Sequence, residues 1–264
     1  MKLINNSDKG YLKGERVENL LVEFLKLFRG LFFFLIRDIK KFLKTFTTDL
    51  GSKSLLQNGY LIVENYLDED LCNEYTNHIK TFISSNMGNK DFGDGCLVQY
   101  RTGLDEGMID ITNPHKQIPL FNDLLKNAKM IDSVVNNASL ENVRLRRSII
   151  YINKNITRTR SYHIDSAHIS QYKAFLYLED VSEKDGPFSI IKKSNRFNRF
   201  KYYNMVSNFF KRRLLNDMPY YDKIKRIDII GKRGTLIISD QNAFHRGIPQ
   251  KKGGERSVFV YNYF

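Results

Sequence analysis

Residues 234–264, "GTLIISDQNAFHRGIPQKKGGERSVFVYNYF", contain two apolar runs separated by a polar segment with glycines and a proline. Each run is short and rich in Ile, Leu, Val, Phe and Tyr, which is typical of a buried strand. A histidine, His245, follows the first run, and an arginine, Arg256, opens the second. This stretch therefore indicates a fold rich in β structure, with two candidate functional side chains near the ends of its strands.

Four more strand-like runs precede this stretch, at residues 143–153, 171–181, 187–193 and 223–230. Helical patterns occupy residues 118–137 and 198–218, and residues 58–83 read as a short strand followed by a helix with Asp68 as its N-cap. Helices followed by many short strands predict a mainly β (α+β) domain, a sandwich or barrel with flanking helices. We assign residues 51–264 to this domain and residues 1–50 to an N-terminal helical extension.

Residues 15–48 are predicted to be a basic amphipathic helix. Its apolar residues recur at intervals of three and four along one stripe: Leu20, Phe24, Leu27, Phe28, Leu31, Leu35, Ile39, Phe42 and Phe46. The stripe has two interpretations, because it could pack on protein or lie on an anionic membrane. The apolar run at residues 31–36 is too short to span a bilayer, and no signal peptide is apparent.

The net charge of +13 arises from 42 Lys and Arg against 29 Asp and Glu, which favours anionic partners. The stretch between Ile190 and Arg233 is especially basic, and we expect a basic lid at about residues 195–228. No nucleic-acid-binding motif is recognisable, so nucleic acid is not an expected partner. With only two cysteines, the chain is expected to be cytoplasmic, with a peripheral membrane contact through residues 15–48 if the helix lies on lipid.

The segment "SYHIDSAHIS" at residues 161–170 places a carboxylate between two histidines. In an extended chain His163 and Asp165 face the same side, whereas His168 would face the other. A third metal ligand would then come from elsewhere, and His245 is the candidate; two histidines and one carboxylate are typical of non-haem Fe(II) oxygenases. A zinc hydrolase using His163, Asp165 and His168, or a non-enzymatic basic protein that binds nucleic acid or membrane, is the alternative.

Four segments in order resemble the phytanoyl-CoA dioxygenase family of Fe(II)/2-oxoglutarate oxygenases. They are "QNGYLIVENYLDEDLCNEY", "YHID", "FLYLEDVSEKDGPFSIIKKSNR" and "GKRGTLIISDQNAFHRGIPQKKGGERS". The resemblance implies a double-stranded β-helix, the jelly roll or cupin-like fold, with Fe(II) held by His163, Asp165 and His245. It also implies 2-oxoglutarate and dioxygen as cosubstrates, with Arg256 binding the far carboxylate. Asn195 stands where the family usually has a histidine.

The implied reaction is hydroxylation of a C–H bond, because Asp165 is present where related halogenases have a small residue. The expected substrate is a small anionic molecule, such as an acyl-CoA-like, phosphorylated or lipid-linked acidic sugar compound. Arg146 and Tyr151 are further candidates for cosubstrate binding. His168, Arg144 and Arg196 are candidates for substrate binding.

Overall fold

The structure is a computed structural model that describes residues 20–103, 106–166 and 169–264. Its helices are α1 (Leu20–Lys44), α2 (Leu50–Asn58), α3 (Glu69–Ser85), α4 (Phe121–Lys126), α5 (Lys129–Ala138) and α6 (Arg199–Phe210). Its strands are β1 (Tyr60–Val63), β2 (Lys90–Asp91), β3 (Leu97–Tyr100), β4 (Ile109–Thr112), β5 (Leu145–Lys154), β6 (Tyr172–Tyr177), β7 (Phe188–Ile191), β8 (Arg226–Ile229), β9 (Leu236–Asp240), β10 (His245–Gly247) and β11 (Glu255–Tyr263). All six strand-like runs of the sequence are strands, and the predicted helices 118–137 and 198–218 correspond to α4, α5 and α6.

The strands form two antiparallel sheets. The large sheet has the order β1-β9-β6-β11-β5-β4-β3-β2, and the small sheet has the order β10-β7-β8. His163 pairs with His245 at the open edge of the small sheet. From β6 onward the chain crosses repeatedly between the two sheets: β6, β9 and β11 lie in the large sheet, and β7, β8 and β10 lie in the small one. Such crossing between two antiparallel sheets is typical of the jelly roll of a double-stranded β-helix. The predicted fold is confirmed.

Strand β11 shows how both faces of the large sheet are buried. Phe259, Tyr261 and Tyr263 belong to the core between this sheet and the helices, where the Phe259 ring stacks on Phe121 at 5.3 Å. The alternate residues, Val258 and Val260, belong to the core between the two sheets. Because successive side chains point to opposite faces, a strand covered on both sides is apolar throughout. This explains the unbroken apolar run "VFVY" in the sequence.

Helices α2, α4 and α5 cover the outer face of the large sheet with buried residues such as Leu55, Leu124 and Ile131. Asp68 is the N-cap of α3, as predicted, and its carboxylate accepts a hydrogen bond from the Asp70 amide at 2.9 Å. Strands β2, β3, β4 and β10 were not predicted, because each is short and the sequence around β2 reads as a loop.

Helix α1 packs against α6 with charged residues turned inward. Leu27 and Phe34 are buried, but so are Arg37, Asp38 and Lys41, and the Lys41 ammonium pairs with Asp240 at the end of β9. Most of the predicted apolar stripe instead faces outward, including Phe28 (67% exposed) and Phe46 (73%). Within the described residues, no helix is long and apolar enough to cross a membrane. The boundary between the N-terminal extension and the domain at residue 50 remains a prediction. Helix α1 of the extension contributes buried residues to the contact with the domain.

Candidate active site

Two histidines meet where the small sheet ends. The backbone amide of His163 donates to the His245 carbonyl at 3.1 Å, and the reverse bond measures 3.0 Å. This pairing sets the two imidazole rings side by side, with centroids 4.5 Å apart. Asp165 lies two residues beyond His163, and its Oδ1 is 3.5 Å from Nε2 of each histidine. The three predicted ligands therefore converge, with their ligand atoms all within 4.8 Å of one another.

Hydrogen bonds to the backbone orient both imidazoles. Nδ1 of His163 faces the Ser161 carbonyl at 2.9 Å, and Nδ1 of His245 faces the Ala243 carbonyl at the same distance. In the neutral ring Nδ1 then carries the proton, which leaves the Nε2 lone pair for a metal. Burial, together with the neighbouring His245, lowers the pKa of His163 to about 4, so this ring is neutral at physiological pH. Two imidazoles and one carboxylate are a donor set that fits Fe(II).

Asp165 has a cationic partner in Lys173 of β6, whose Nζ lies 2.7 Å from Oδ2. Burial works to raise the pKa of the Asp165 carboxyl, but the charge of Lys173 and the neighbouring His245 ring hold it well below its usual range. Burial likewise works to lower the pKa of Lys173, and the charge of Asp165 raises it above its usual value. Both groups are therefore ionised.

Arg256 lies at the start of β11, is 8% exposed, and donates from Nη1 to the Gly186 carbonyl. Gly247 lies next to the guanidinium. A Cβ at this glycine would be 3.6 Å from Arg256 Nη2. The missing side chain leaves room beside the guanidinium, and a planar guanidinium can bind a carboxylate through two parallel hydrogen bonds. The position suits the predicted contact with the far carboxylate of a keto acid.

A cavity of about 280 Å³ connects these residues. His163, Asp165, His245, Arg256 and Tyr151 all line it, so the structure brings five predicted site residues together. The sequence reasoning missed four further cationic side chains in its lining: Arg101, Arg160, Lys173 and Arg246. Arg160 and Arg246 are close in sequence to His163 and His245, and this proximity could have predicted that they line the cavity. Nothing in the sequence around Arg101 and Lys173 indicates such a position.

The other predicted site residues lie elsewhere. Arg146 is exposed and donates to the carbonyl of Phe264 at 3.1 Å, and Arg144 is also exposed near the same chain end. Arg196 lines a separate surface depression with Lys193, Arg199 and Lys225. These arginines point away from the cavity because the strand and loop that carry them face solvent there. His168 lies outside the described residues.

The predicted lid segment reaches the site through polar residues. The Ile164 amide donates to the Asn216 carbonyl at 3.0 Å, and Asp217 accepts from Arg160 Nη2 at 2.8 Å. Asn195, at the start of this segment, is fully buried, and its amide donates to the Leu55 and Leu56 carbonyls. The asparagine thus has a structural role that ties α2 to the sheets.

Comparisons with known proteins agree with this geometry. The model of the family "Phytanoyl-CoA dioxygenase (PhyH)" matches residues 55–258. The chain belongs to the phytanoyl-CoA dioxygenase family. It is a 2-oxoglutarate-dependent oxygenase that uses iron, and His163, Asp165 and His245 form a triad that could hold a metal ion. This finding sets aside the zinc hydrolase and the non-enzymatic binding protein. No curated protein matches the chain in sequence.

Several solved structures share the fold at low identity. HygX from Streptomyces hygroscopicus, with nickel and 2-oxoglutarate bound, is 12% identical, with a TM-score of 0.60 over 79% of this chain and 83% of that one. The epimerase SnoN, in complex with Fe3+, alpha ketoglutarate and nogalamycin RO, is 12% identical, with a TM-score of 0.59 over 81% and 82%. EctD from S. alaskensis with bound Fe is 16% identical, with a TM-score of 0.58 over 80% and 74%.

Proposed function

We propose that the protein hydroxylates a C–H bond of a small anionic substrate. The observation that carries this proposal is the cavity at the metal-binding triad, in which, among the described residues, cationic side chains outnumber carboxylates. The cationic residues of its described lining are Arg101, Arg160, Lys173, Arg246 and Arg256. Three of them pair with carboxylates: Arg101 with Asp110, Arg160 with Asp217 and Lys173 with Asp165. The excess positive charge favours negatively charged ligands.

The residues divide into three roles. His163, Asp165 and His245 would hold iron, which with 2-oxoglutarate and dioxygen supplies the oxidising power. Arg256 would bind the far carboxylate of 2-oxoglutarate in its buried position beside Gly247. The cavity is small, so the part of the substrate that enters it must also be small.

Arg101 and Arg246 would bind the anionic group of the substrate. Arg101 is held by Asp110 at 2.7 Å, and its guanidinium lies 5.5 Å from the centre of the Tyr151 ring. Arg246 donates to Thr159 at 2.8 Å, and its guanidinium lies 5.7 Å from the centre of the Tyr162 ring. Such contacts hold each guanidinium in a defined place in the lining of the cavity. The candidate anions are an acyl-CoA-like compound, a phosphorylated compound and a lipid-linked acidic sugar.

Succinate formation tests this function. We expect carboxylated and phosphorylated molecules to increase 2-oxoglutarate turnover, and matched neutral molecules to leave it unchanged. Arg246→Gln should raise the KM for the active anion by about tenfold or more, since a charge-assisted hydrogen bond contributes about 1.5–3 kcal/mol. Arg144→Gln, at an exposed site, is the control. Equal stimulation by neutral compounds, together with an unchanged KM in Arg246→Gln, would contradict the anionic substrate.

We also propose that the protein is cytoplasmic and meets an anionic membrane peripherally through α1. The support is the outward face of α1, where large apolar side chains are exposed: Leu21, Phe24, Leu25, Phe28, Phe32, Leu35, Ile36, Ile39, Phe42 and Leu43. The exposed basic residues Lys26, Arg29 and Lys40 accompany them, and the two acidic residues of α1 are half-buried or buried. A helix of this kind lies in the interface of an anionic bilayer. The repulsion between two chains of net charge +13 disfavours self-association.

Vesicle flotation tests the membrane contact. The wild type should bind anionic vesicles more than neutral ones, and the binding should weaken with salt because surface charges are screened. Phe32→Glu should reduce the binding, whereas Ile224→Glu, at a residue that is 95% exposed outside α1, should not. Equal flotation of both variants, or a dimer that dissociates in Phe32→Glu, would show that α1 contacts protein instead.

A further inference from the structure

The two oxygens of the Asp165 carboxylate have different neighbours. Oδ1 faces the two imidazoles at 3.5 Å, on the side where a metal would lie. Oδ2 faces the Lys173 ammonium at 2.7 Å. The Lys173 ammonium therefore contacts the carboxylate oxygen that does not face the imidazoles.

The backbone fixes both ends of this ion pair. The Asp165 amide donates to the Gln241 carbonyl at 3.1 Å, directly after β9. Lys173 lies in the centre of the large sheet, paired with Ser239 of β9 on one side and with Asn262 of β11 on the other. Its side chain is only 16% exposed. Lys173 pairs with a residue of β9 and Asp165 with the residue that follows this strand, so the ammonium and the carboxylate have little freedom to separate.

This arrangement has a consequence for metal binding. A carboxylate can bind a metal ion through one oxygen or through both. A ferrous site of this kind needs open positions for its cosubstrates, and a carboxylate that binds through both oxygens would fill one of them. An oxygen that is already paired with an ammonium at short distance is less available to the metal.

We propose that Lys173 is a positioning residue that keeps Asp165 bound to iron through Oδ1 alone and so preserves the positions for 2-oxoglutarate and dioxygen. The inference depends on the iron site of the family and is independent of the proposed substrate and membrane contact. A direct contact between Lys173 and 2-oxoglutarate is the competing role. If Lys173 positions Asp165, replacing it changes the metal site even without 2-oxoglutarate. If Lys173 binds 2-oxoglutarate, replacing it changes the metal site only when 2-oxoglutarate is present.

Cobalt substitution separates these roles. The visible absorption of Co(II) responds to its coordination number, and it can be recorded on the full chain without 2-oxoglutarate. In Lys173→Met the freed Oδ2 should join the metal, changing the Co(II) spectrum and altering the Co(II) Kd by about 10–100-fold. Lys173→Gln, which keeps a hydrogen-bond donor without the charge, should give an intermediate spectrum. Lys154→Met is the control, since its ammonium pairs with Glu255 at 2.7 Å in an exposed position.

An unchanged cosubstrate-free Co(II) spectrum in Lys173→Met would overturn the inference. If the 2-oxoglutarate Kd then rose, Lys173 would be a cosubstrate ligand; if it stayed the same, Lys173 would have no role at the metal. Should Lys173→Met fail to fold, Lys173→Gln carries the same test, with a changed spectrum expected and an unchanged one refuting. No substrate is present in this experiment, so its result does not depend on whether the proposed anionic substrate is correct.

Discussion

Lys41→Met should destabilise the protein strongly, although Lys41 belongs to the N-terminal helix. The Lys41 and Asp240 side chains are 1% and 2% exposed and pair with each other. Without the ammonium, the Asp240 carboxylate keeps the Asn195 amide at 3.2 Å and the Asn242 backbone amide at 3.0 Å, but no longer contacts the Lys41 charge. Removing one partner of a buried ion pair costs about 3–5 kcal/mol. This is a large part of a typical total stability of about 5–15 kcal/mol.

The assay is thermal unfolding followed by circular dichroism. For a chain of this size each kcal/mol lowers Tm by about 2–4 °C, so Lys41→Met should lower it by roughly 6–20 °C. Lys40→Met is the matched control, because Lys40 is exposed and surface substitutions stay within about 0.5 kcal/mol. The double variant Lys41→Met with Asp240→Asn removes both charges and should recover part of the loss. Equal Tm values for Lys41→Met and Lys40→Met would refute the reasoning and would mean that α1 is not held to the domain by this pair.

Three further predictions concern the site and the packing of α1. His163→Ala, Asp165→Ala and His245→Ala should each abolish Fe(II)-dependent 2-oxoglutarate turnover while circular dichroism shows a folded chain. Arg256→Lys should raise the 2-oxoglutarate KM about tenfold or more, measured by succinate formation, because an ammonium cannot replace the two-bond guanidinium; an unchanged KM would contradict it. Lys201 of α6 is buried against α1, where its ammonium lies 3.9 Å from the Asp38 carboxylate, and burial lowers its pKa to about 8. Between this pH and 10.5 the unfolded lysine binds more protons than the folded one, so denaturant unfolding should show the wild type gaining up to about 3 kcal/mol relative to Lys201→Met as pH rises. Parallel pH profiles would contradict this prediction.

The sequence alone determined the β-rich class of this protein and identified the His163, Asp165 and His245 triad that the structure brings together. Apolar runs of strand length, such as "GTLIISD", are set by local patterning, because a strand buried on both faces must be apolar throughout. His163 and Asp165 are separated by one residue, so the spacing of an extended chain already places them together. His245 and Arg256 were recognisable because they border strands in an order that resembles the family.

The tertiary structure alone decided which charges meet. Lys173 lies within the apolar run "QYKAFLYL". Asp165 contacts the Lys173 ammonium only because the folded chain places Asp165 beside β6. The orientation of α1 was decided in the same way, because Lys41 and Asp240 are 199 residues apart in sequence. Periodicity identifies the apolar stripe of a helix, but it does not say which side has buried partners. A buried lysine requires a carboxylate nearby, and strand pairing across the whole chain determines where that carboxylate lies.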